Sequence, residues 1–258
     1  MGLFFILGFC GQAFATYSIS YIYVQHRAYE DPAKGVNRLY FQIKDGENFV
    51  RNDLLTSVKL FNPSNNALKL PDLTFYPHDY GVRGEYNANM GQYTYDGVVH
   101  DESGYSGNID VKKLVKGTYR LVATYNGFKI ETACNFNGLV NLPVIDDKSI
   151  KASMDPKGNL FCTWKVPNSA FYLTEANPAL AVSARAIIDV YNGETAVAYV
   201  QPFVPFHMGQ AFFPARIVEL IKTELGGNTY KFRVQLRTND NNNRTFSDYV
   251  DITTVLNP

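Results

Sequence analysis

The chain has 258 residues with 24 basic and 24 acidic side chains, so its formal net charge is zero. A balanced chain has no overall field that attracts polyanions, which argues against nucleic acid or an anionic membrane as a partner. Tyr and Phe dominate the aromatic residues, and frequent Gly, Asn and Pro favour strands and turns over helices. We therefore expect an all-β protein, long enough for two domains of about 100 to 130 residues each.

Residues 1–15 form an apolar segment that ends in Ala13-Phe14-Ala15, a small-residue cleavage signal. This pattern predicts a signal peptide over residues 1–15 and a secreted or cell-surface protein. A buried first strand is the alternative, because the apolar run is short for a signal peptide. No later stretch reaches the ~18 apolar residues of a membrane span, so none is expected in the mature chain.

The segment from Thr16 to Tyr29 alternates as a strand, which places Tyr17, Ile19, Tyr21 and Tyr23 on one side. It is apolar on both faces and would lie at a free N-terminus, where an exposed strand can pair with another chain. It can remain the edge strand of its own sheet, or it can add to a neighbouring subunit and build a filament. The candidate self-association residues are Tyr17, Ile19, Tyr21, Ile22, Tyr23 and Val24.

Tyrosines are dense in the middle of the first half, among short strand candidates. Exposed aromatic rings stack on sugars, and Tyr is enriched in recognition surfaces, so this region is a candidate glycan-binding surface. The alternative is that most of these rings fill a β-sandwich core. The candidate ligand-binding residues are Tyr76, Tyr80, Tyr86 and Tyr105.

One pattern occurs twice. An apolar turn, a Gly, a Thr-Tyr pair and an alternating strand follow one another in Val111–Ala123 and again in Val218–Val234. A Tyr in that position is typical of the tyrosine corner of an immunoglobulin-like sandwich. The repeat predicts two tandem β-sandwich domains, at residues 16–141 and 142–258. A Pro-containing linker spans Leu139–Asp147, and an amphipathic helix begins at Pro214.

The second half contains Gly158-Asn159-Leu160 through Trp164, an alternating strand from Tyr230 and a closing segment from Ser247. These pieces resemble a fibronectin type III domain. The resemblance implies a seven-stranded sandwich with Trp164 and Tyr230 in its core. It departs from that family in the long segment between Trp164 and Ile187 and in the helix at Pro214, and it implies no particular ligand.

No reaction can be assigned to the chain. The histidines lie singly, so no metal site is expected; they are His26, His78, His100 and His207. Asp146, Asp147 and Asp155 could collect calcium, although a solvated hinge is the preferred interpretation. Cys134 and Cys162 are each expected to be buried without a disulfide. We expect neither cofactor nor catalysis.

The sequence thus predicts a non-catalytic structural, adhesion or assembly subunit, with a protein partner or self-association. The alternative is a carbohydrate-binding module that uses the tyrosines of the first domain.

Overall fold

The computed structural model describes residues 16–76, 80–87, 89–96, 100–101, 103–168, 182–205 and 207–257. The predicted signal peptide lies outside these residues. The strands are β1 Tyr17–Tyr29, β2 Val36–Asp45, β3 Asn48–Phe49, β4 Leu55–Phe61, β5 Ala67–Leu68, β6 Thr74–Tyr76, β7 Tyr80–Asn87, β8 Gln92–Tyr95, β9 His100–Asp101, β10 Gly104–Asn108, β11 Gly117–Tyr125, β12 Phe128–Phe136, β13 Lys151–Met154, β14 Leu160–Thr163, β15 Val182–Asn192, β16 Thr195–Pro205, β17 Gln210–Phe213, β18 Thr229–Thr238, β19 Asn243–Phe246 and β20 Val250–Asp251. The α-helices are α1 Ala215–Thr223 and α2 Thr253–Leu256, and 3-10 turns occupy Pro32–Lys34 and Asp147–Ser149.

Within the described residues the strands form three sheets. The large sheet has the order β6-β10-β2-β1-β19-β18-β15-β16-β7-β8, with β3, β9 and β20 paired beside that path. A second sheet has the order β12-β11-β4-β5, and a third has the order β13-β14-β17. The predicted all-β class is confirmed.

The large sheet contains strands from both halves of the chain. Two parallel ladders join strands of the first half to strands of the second half. Strand β1 pairs with β19, and β16 pairs with β7. The sheet therefore continues across the predicted domain boundary between residues 141 and 142. Two separate tandem domains stay a prediction.

Two hydrophobic cores pack against one face of this shared sheet. The first lies between β1, β2 and β10 and the sheet of β4, β11 and β12. The second lies between β15, β16 and β18 and the sheet of β13, β14 and β17, with helix α1 beside it. Trp164 is 5% exposed in the second core, and Tyr230 is 2% exposed there, as the fibronectin-like resemblance implies. Each core is thus enclosed between the large sheet, which both cores share, and one of the two smaller sheets.

The two predicted tyrosine corners are present. The Tyr119 hydroxyl donates to the Val115 carbonyl at 3.1 Å and accepts from the Val115 amide at 3.0 Å. The Tyr230 hydroxyl donates to the Gly227 carbonyl at 3.4 Å, which is a longer and weaker bond. Each ring is buried, so the hydroxyl needs a partner, and a carbonyl upstream in the same chain supplies it.

Helix α1 confirms the predicted amphipathic helix and begins directly after Pro214. Ile217 and Val218 share its buried face with Ile221, which lies one helical turn further along. The amide of Ala215 donates to Asn159 Oδ1 at 2.9 Å, so a loop of the neighbouring sheet caps the start of the helix.

Strand β1 differs from its prediction in two ways. A bulge between Ile19 and Tyr21 shifts the register with β2, so the side-chain alternation changes at Ser20. Tyr17 and Ile19 therefore pack against the first core, whereas Tyr21 and Tyr23 lie on the opposite face. The predicted common face of these four residues is wrong, because a period of two cannot anticipate an inserted residue.

The position of strand β1 in the sheet also differs from the prediction. Strand β1 lies between β2 and β19, but it is paired on both sides only near its C-terminal end; among the described strands, the ladders pair its N-terminal part with β2 alone. Its ladder with β2 runs from Tyr17 to Arg27, and its ladder with β19 covers His26 to Tyr29. Ile22 and Val24 face the first core. Donating this strand to another subunit would break both ladders, and the filament hypothesis stays a prediction.

The polar turn from Asp240 to Asn243 holds the two halves together. Asn242 accepts from the Asn137 amide at 2.7 Å, and its own amide group donates to the carbonyls of Val24 and Asn135. Asn243 accepts from the Val140 amide at 3.0 Å and donates to the Gly138 carbonyl at 2.9 Å. Both side chains are buried. This turn, here called the asparagine clasp, therefore fixes the linker and β1 against β19.

Candidate functional site

The face of the large sheet opposite the cores forms a cleft. Alternation along each strand sends one set of side chains into a core and the other set onto this outer face. On β18, for example, Phe232 and Val234 are buried in the core, whereas Arg233 and Arg237 point outward. Strands from β10 to β7 contribute to the cleft, whose volume is about 680 Å³. The cleft therefore extends across strands of both halves.

The charge of the cleft is strongly positive. Its arginines are Arg27, Arg38, Arg83, Arg185, Arg233, Arg237 and Arg244, and Lys44 lies at one end. Among the described lining residues the single carboxylate is Asp189, whose Oδ2 lies 2.9 Å from Arg233 Nε. Since the whole chain has no net charge, this positive potential is local to the outer face.

Three of the arginines stand directly opposite one another. Arg27 on β1 is in register with Arg244 on β19, and Arg244 is in register with Arg237 on β18. Residues in register on neighbouring strands have their Cβ atoms about 5 Å apart, and like charges in that arrangement destabilise a sheet. This arrangement is unfavourable for the unliganded fold and favourable for an anion lying above it.

Other arginines stand opposite glutamines. Arg38 on β2 is in register with Gln25 on β1, and Arg185 on β15 is in register with Gln235 on β18. Arg83 on β7 is likewise in register with Gln201 on β16. We call Arg38, Arg27, Arg244, Arg237, Arg185 and Arg83 the arginine row. It crosses the sheet from β2 to β7 with glutamine amides interleaved.

Aromatic rings fix the guanidinium groups. Arg185 and Arg237 both lie over the Phe203 ring, at 4.2 and 4.7 Å from its centroid. Arg244 lies over the Tyr23 ring at 5.0 Å. The flat face of an arginine stacks well on a ring and leaves its N–H groups directed sideways and outward. The row is therefore pre-organised before any ligand arrives.

The pKa shifts show how crowded these charges are. Burial, followed by the charges of Arg237 and Arg244, lowers the pKa of Arg185 to about 9. Burial and Arg244 lower the pKa of Arg237 to about 10. Burial would raise the pKa of Tyr23, but Arg244 and Arg27 outweigh it and leave that pKa below its ordinary value. The site thus favours negative charge on whatever lies within it.

Several buried polar atoms in the cleft have no hydrogen-bond partner among the described residues. They include Gln42 Nε2, Gln235 Oε1, Arg38 Nε and Arg185 Nε. Gln42 is 5% exposed and Gln235 is 2% exposed, so neither side chain is well solvated. Buried polar groups are normally satisfied, and leaving one unpaired costs about 1–3 kcal/mol.

The candidate tyrosines do not form one surface. Tyr105 is 1% exposed and stacks on Phe41 in the first core, so its predicted ligand role is wrong. Tyr76 is 44% exposed and lies at the rim of the arginine cleft. Tyr86 is half-buried and packs edge-on against Tyr93 in a different cleft. Tyr80 lies in β7, and its side chain lies outside the described residues.

That second cleft has a volume of about 490 Å³ and lies where β8 approaches β17. Its aromatic and apolar lining residues are Tyr86, Tyr93, Phe161, Met208, Phe212 and Pro214. The hydroxyls of Tyr93 and Tyr95 donate to the carbonyls of Gln210 and Phe212 at 2.9 and 2.6 Å. These bonds occupy carbonyls of β17, the last strand of its sheet, and close the end of the sandwich.

The predicted self-association residues are also divided. Tyr21 is 42% exposed and lines the arginine cleft together with the buried Tyr23. The other four pack against the first core; they are Tyr17, Ile19, Ile22 and Val24. The structure therefore brings two of these tyrosines to the candidate site.

The acidic residues near the linker serve local structure. Asp146 caps the 3-10 turn through the Lys148 amide, and Asp147 accepts from the Asp248 amide at 2.7 Å. Asp155 accepts from the amides of Lys157 and Asn159 within its own turn. Over the described ranges no group of three His, Cys, Asp or Glu could hold a metal ion. His78 lies outside those ranges.

The two cysteines among the described residues are free and lie in different cores. Cys162 is completely buried in the second core, and Cys134 packs against the first. Burial raises the pKa of Cys134 to about 11 and raises that of Cys162 further. Neither thiol is prepared to act as a nucleophile.

In the described part of the chain, no helix is both long and apolar enough to cross a bilayer.

The chain is thus an all-β protein with an electropositive sheet face. No protein-family model and no curated protein matches it. Among solved structures it is similar to a crystal structure of dimeric latent PorU from Porphyromonas gingivalis. The two are 9% identical over 91% of this chain, with a TM-score of 0.26. This chain covers 20% of the length of that one. A similarity at that score gives no information about function.

Proposed function

We propose that this protein is a non-catalytic, secreted or cell-surface binding subunit that recognises anionic groups through its arginine row. The observation on which this depends is the imbalance of charge on the outer face. Seven arginines line the cleft together with one carboxylate among the described residues, and that carboxylate is already paired with Arg233. Three of the arginines face one another in register. A ligand that supplies negative charge would relieve their repulsion.

The chemistry of the lining favours binding over catalysis. Guanidinium groups remain protonated near neutral pH, so they hold anions but do not exchange protons. The rings beneath them fix their positions, which reduces the entropy lost when a ligand binds. This supports the structural, adhesion or assembly role expected from the sequence, with two sandwich layers presenting one recognition face.

Assembly by exchange of strand β1 has less support. Donating the whole strand would cost its long ladder to β2 and its short ladder to β19. Contact through the outer face would require no such rearrangement. We therefore favour an anionic partner or polymer over strand exchange as the basis of assembly.

A thermal-shift experiment tests the proposal. Sulfate and citrate should raise the melting temperature of the wild-type protein above that in sodium chloride of equal ionic strength, because they bind only the folded state. The double variant Arg185→Gln/Arg237→Gln should lose this stabilisation.

Arg120→Gln is the matched control. Arg120 also lies over a ring, at 4.2 Å from the Phe61 centroid, but it belongs to β11 and lies away from the cleft. It should respond to anions as the wild type does. An equal response in all three proteins would show that the anion effect is not specific to the cleft.

The carbohydrate-binding alternative now depends on the second cleft. Tyr86 and Tyr93 are half-buried there, with Gln92 and Arg216 beside them. If this cleft binds neutral sugars, Tyr86→Ala should abolish binding of neutral glycans and leave sulfate stabilisation unchanged. Unchanged glycan binding in that variant would contradict the alternative.

A further inference from the structure

We infer that the ligand of the outer face is a linear acidic polysaccharide that lies across the strands, along the arginine row. This inference rests on the proposed function and specifies its ligand. It depends on the length of the row, on its alternation with glutamines, and on which surfaces are already occupied.

The row is longer than a small anion. Its arginines lie on β2, β1, β19, β18, β15 and β7, with Gln201 of β16 between the last two. Six steps between neighbouring strands, each about 4.8 Å, mean that the row extends about 29 Å across the sheet. One sulfate or carboxylate reaches only two or three guanidinium groups. A ligand that uses the whole row must be elongated and must carry repeated negative charges.

The direction of the ligand follows from the register. Arg27, Arg244 and Arg237 occupy the same level on three adjacent strands. Arg185 lies one diagonal step away, opposite Gln235, and its Nη1 donates to Gln201 Oε1 at 2.9 Å. Arg38 lies one such step away in the other direction, opposite Gln25, and Arg83 lies a further step beyond Arg185, opposite Gln201. The positive charges therefore follow a line that crosses the strands obliquely. A chain bound along this line meets one new cation at nearly every strand.

The glutamines indicate what stands between the negative charges. Gln25, Gln235 and Gln201 each face an arginine across the ladder. Gln42 Nε2 and Gln235 Oε1 are buried without a partner among the described residues. A ligand that fits must alternate acidic groups with neutral groups that both donate and accept hydrogen bonds. Uronate and sulfated sugars have this composition, with an acidic group and several hydroxyls on each unit.

Nucleic acid fits the cleft less well. Single strands gain much of their affinity from bases stacked on free aromatic faces. Here the ring faces are covered, since Arg185 and Arg237 lie over Phe203 and Arg244 lies over Tyr23. Tyr21 is exposed, but it meets Tyr23 and Tyr40 edge-on. The cleft therefore offers few platforms for bases.

An extended acidic peptide also fits less well. Peptide strands bind mainly by pairing their backbone with a free sheet edge. The arginine row lies on a face of the sheet, where the backbone groups of β1, β19, β18 and β15 are already paired with their neighbours. Recognition at this face therefore depends on side chains alone. Such a face matches a ligand that carries its polar groups as substituents on sugar rings.

Calorimetric titration with fragments of defined length tests the inference. The probes are polygalacturonate and heparin fragments from disaccharide upward, with single-stranded DNA and polyglutamate of similar length. Affinity for one or both acidic glycans should rise with fragment length and then level off when the row is filled. It should fall steeply with added salt, because binding releases counterions.

Two positions along the row give distinguishable effects. Arg237→Gln, at the centre, should lower affinity for short and long fragments alike, by about tenfold or more, as expected for loss of a charged hydrogen bond. Arg83→Gln, at the end, should lower affinity for long fragments only. Arg120→Gln should leave all affinities unchanged.

The outcomes separate the inference from the proposed function. Affinity independent of fragment length, with citrate still stabilising the protein, would overturn the polysaccharide and leave anion binding intact. Tighter binding of DNA or polyglutamate than of every acidic glycan would also overturn it. Failure of the wild type to bind any of these anions would overturn both proposals.

Discussion

Replacement of Trp164 by Ala tests the central feature of the fold, which is that two cores share one sheet. Trp164 is 5% exposed and packs in the second core, with its ring 6.3 Å from that of Phe232 on β18. Strand β18 is bonded to β19, and β19 to β1, whose core-facing side chains belong to the first core. Damage at Trp164 should therefore reach both halves of the chain.

The size of the effect follows from burial. Emptying the site of a buried aromatic side chain costs about 3–5 kcal/mol. In a chain of this size each kcal/mol lowers the melting temperature by about 2–4 °C, so the total shift should be about 6–20 °C. Val115→Ala is the control, because Val115 is 58% exposed and bonds Tyr119 through its backbone. It should change stability by less than about 0.5 kcal/mol.

Calorimetry and hydrogen exchange together provide the measurement. The variant should unfold in a single transition, and amides of β11 in the first core should lose protection together with those of β18. If β11 instead melts at its wild-type temperature in a separate transition, the shared sheet does not couple the cores. The chain would then behave as the two independent domains that the sequence predicts.

Three further predictions concern individual groups. Tyr119→Phe should destabilise the protein by about 1 kcal/mol in urea titrations, and by more than Tyr230→Phe, because the Tyr230 hydroxyl bond is longer. Asn242→Ala should cost about 1–3 kcal/mol by the same assay, since it leaves the buried partners of the asparagine clasp unpaired; a cost below that of Tyr119→Phe would contradict the clasp. Burial raises the pKa of Cys134 from 9.0 to about 11, so the unfolded chain loses this proton first and stability should fall as pH rises from 9 to about 11. The variant Cys134→Ala should show a shallower decline, and an unchanged slope would refute that assignment.

Local patterns predicted what depends on local structure. The period of two identified β11 and β18, and a Thr-Tyr pair shortly after a Gly identified both tyrosine corners. A proline before apolar residues at helical spacing identified α1. Each of these is decided within about fifteen neighbouring residues, where side-chain alternation and capping dominate.

The pairing of strands that are distant in sequence could not be predicted from such local patterns. Nothing in the segment around Ser20 indicates the bulge that sends Tyr21 to the outer face. The alternation of Arg233 and Arg237 was visible as a basic strand face. Whether this basic face forms part of a cluster depends on Arg244 and Arg27, which lie in register on neighbouring strands that are distant in sequence. Residue type alone could not distinguish Tyr105, buried against Phe41, from the exposed Tyr76.

The parallel ladder between β1 and β19 also sets an order of events when the chain folds. Val24 and Asn242, which are bonded across this junction, lie 218 positions apart. Closing so long a loop is entropically costly, and contacts of this kind slow folding. When the chain emerges from the ribosome or a translocation pore with its N-terminus first, β1 emerges long before β19. Arg27 therefore meets Arg244 only after the long segment between them has emerged, so the arginine row cannot be complete at the stage when β1 is already available.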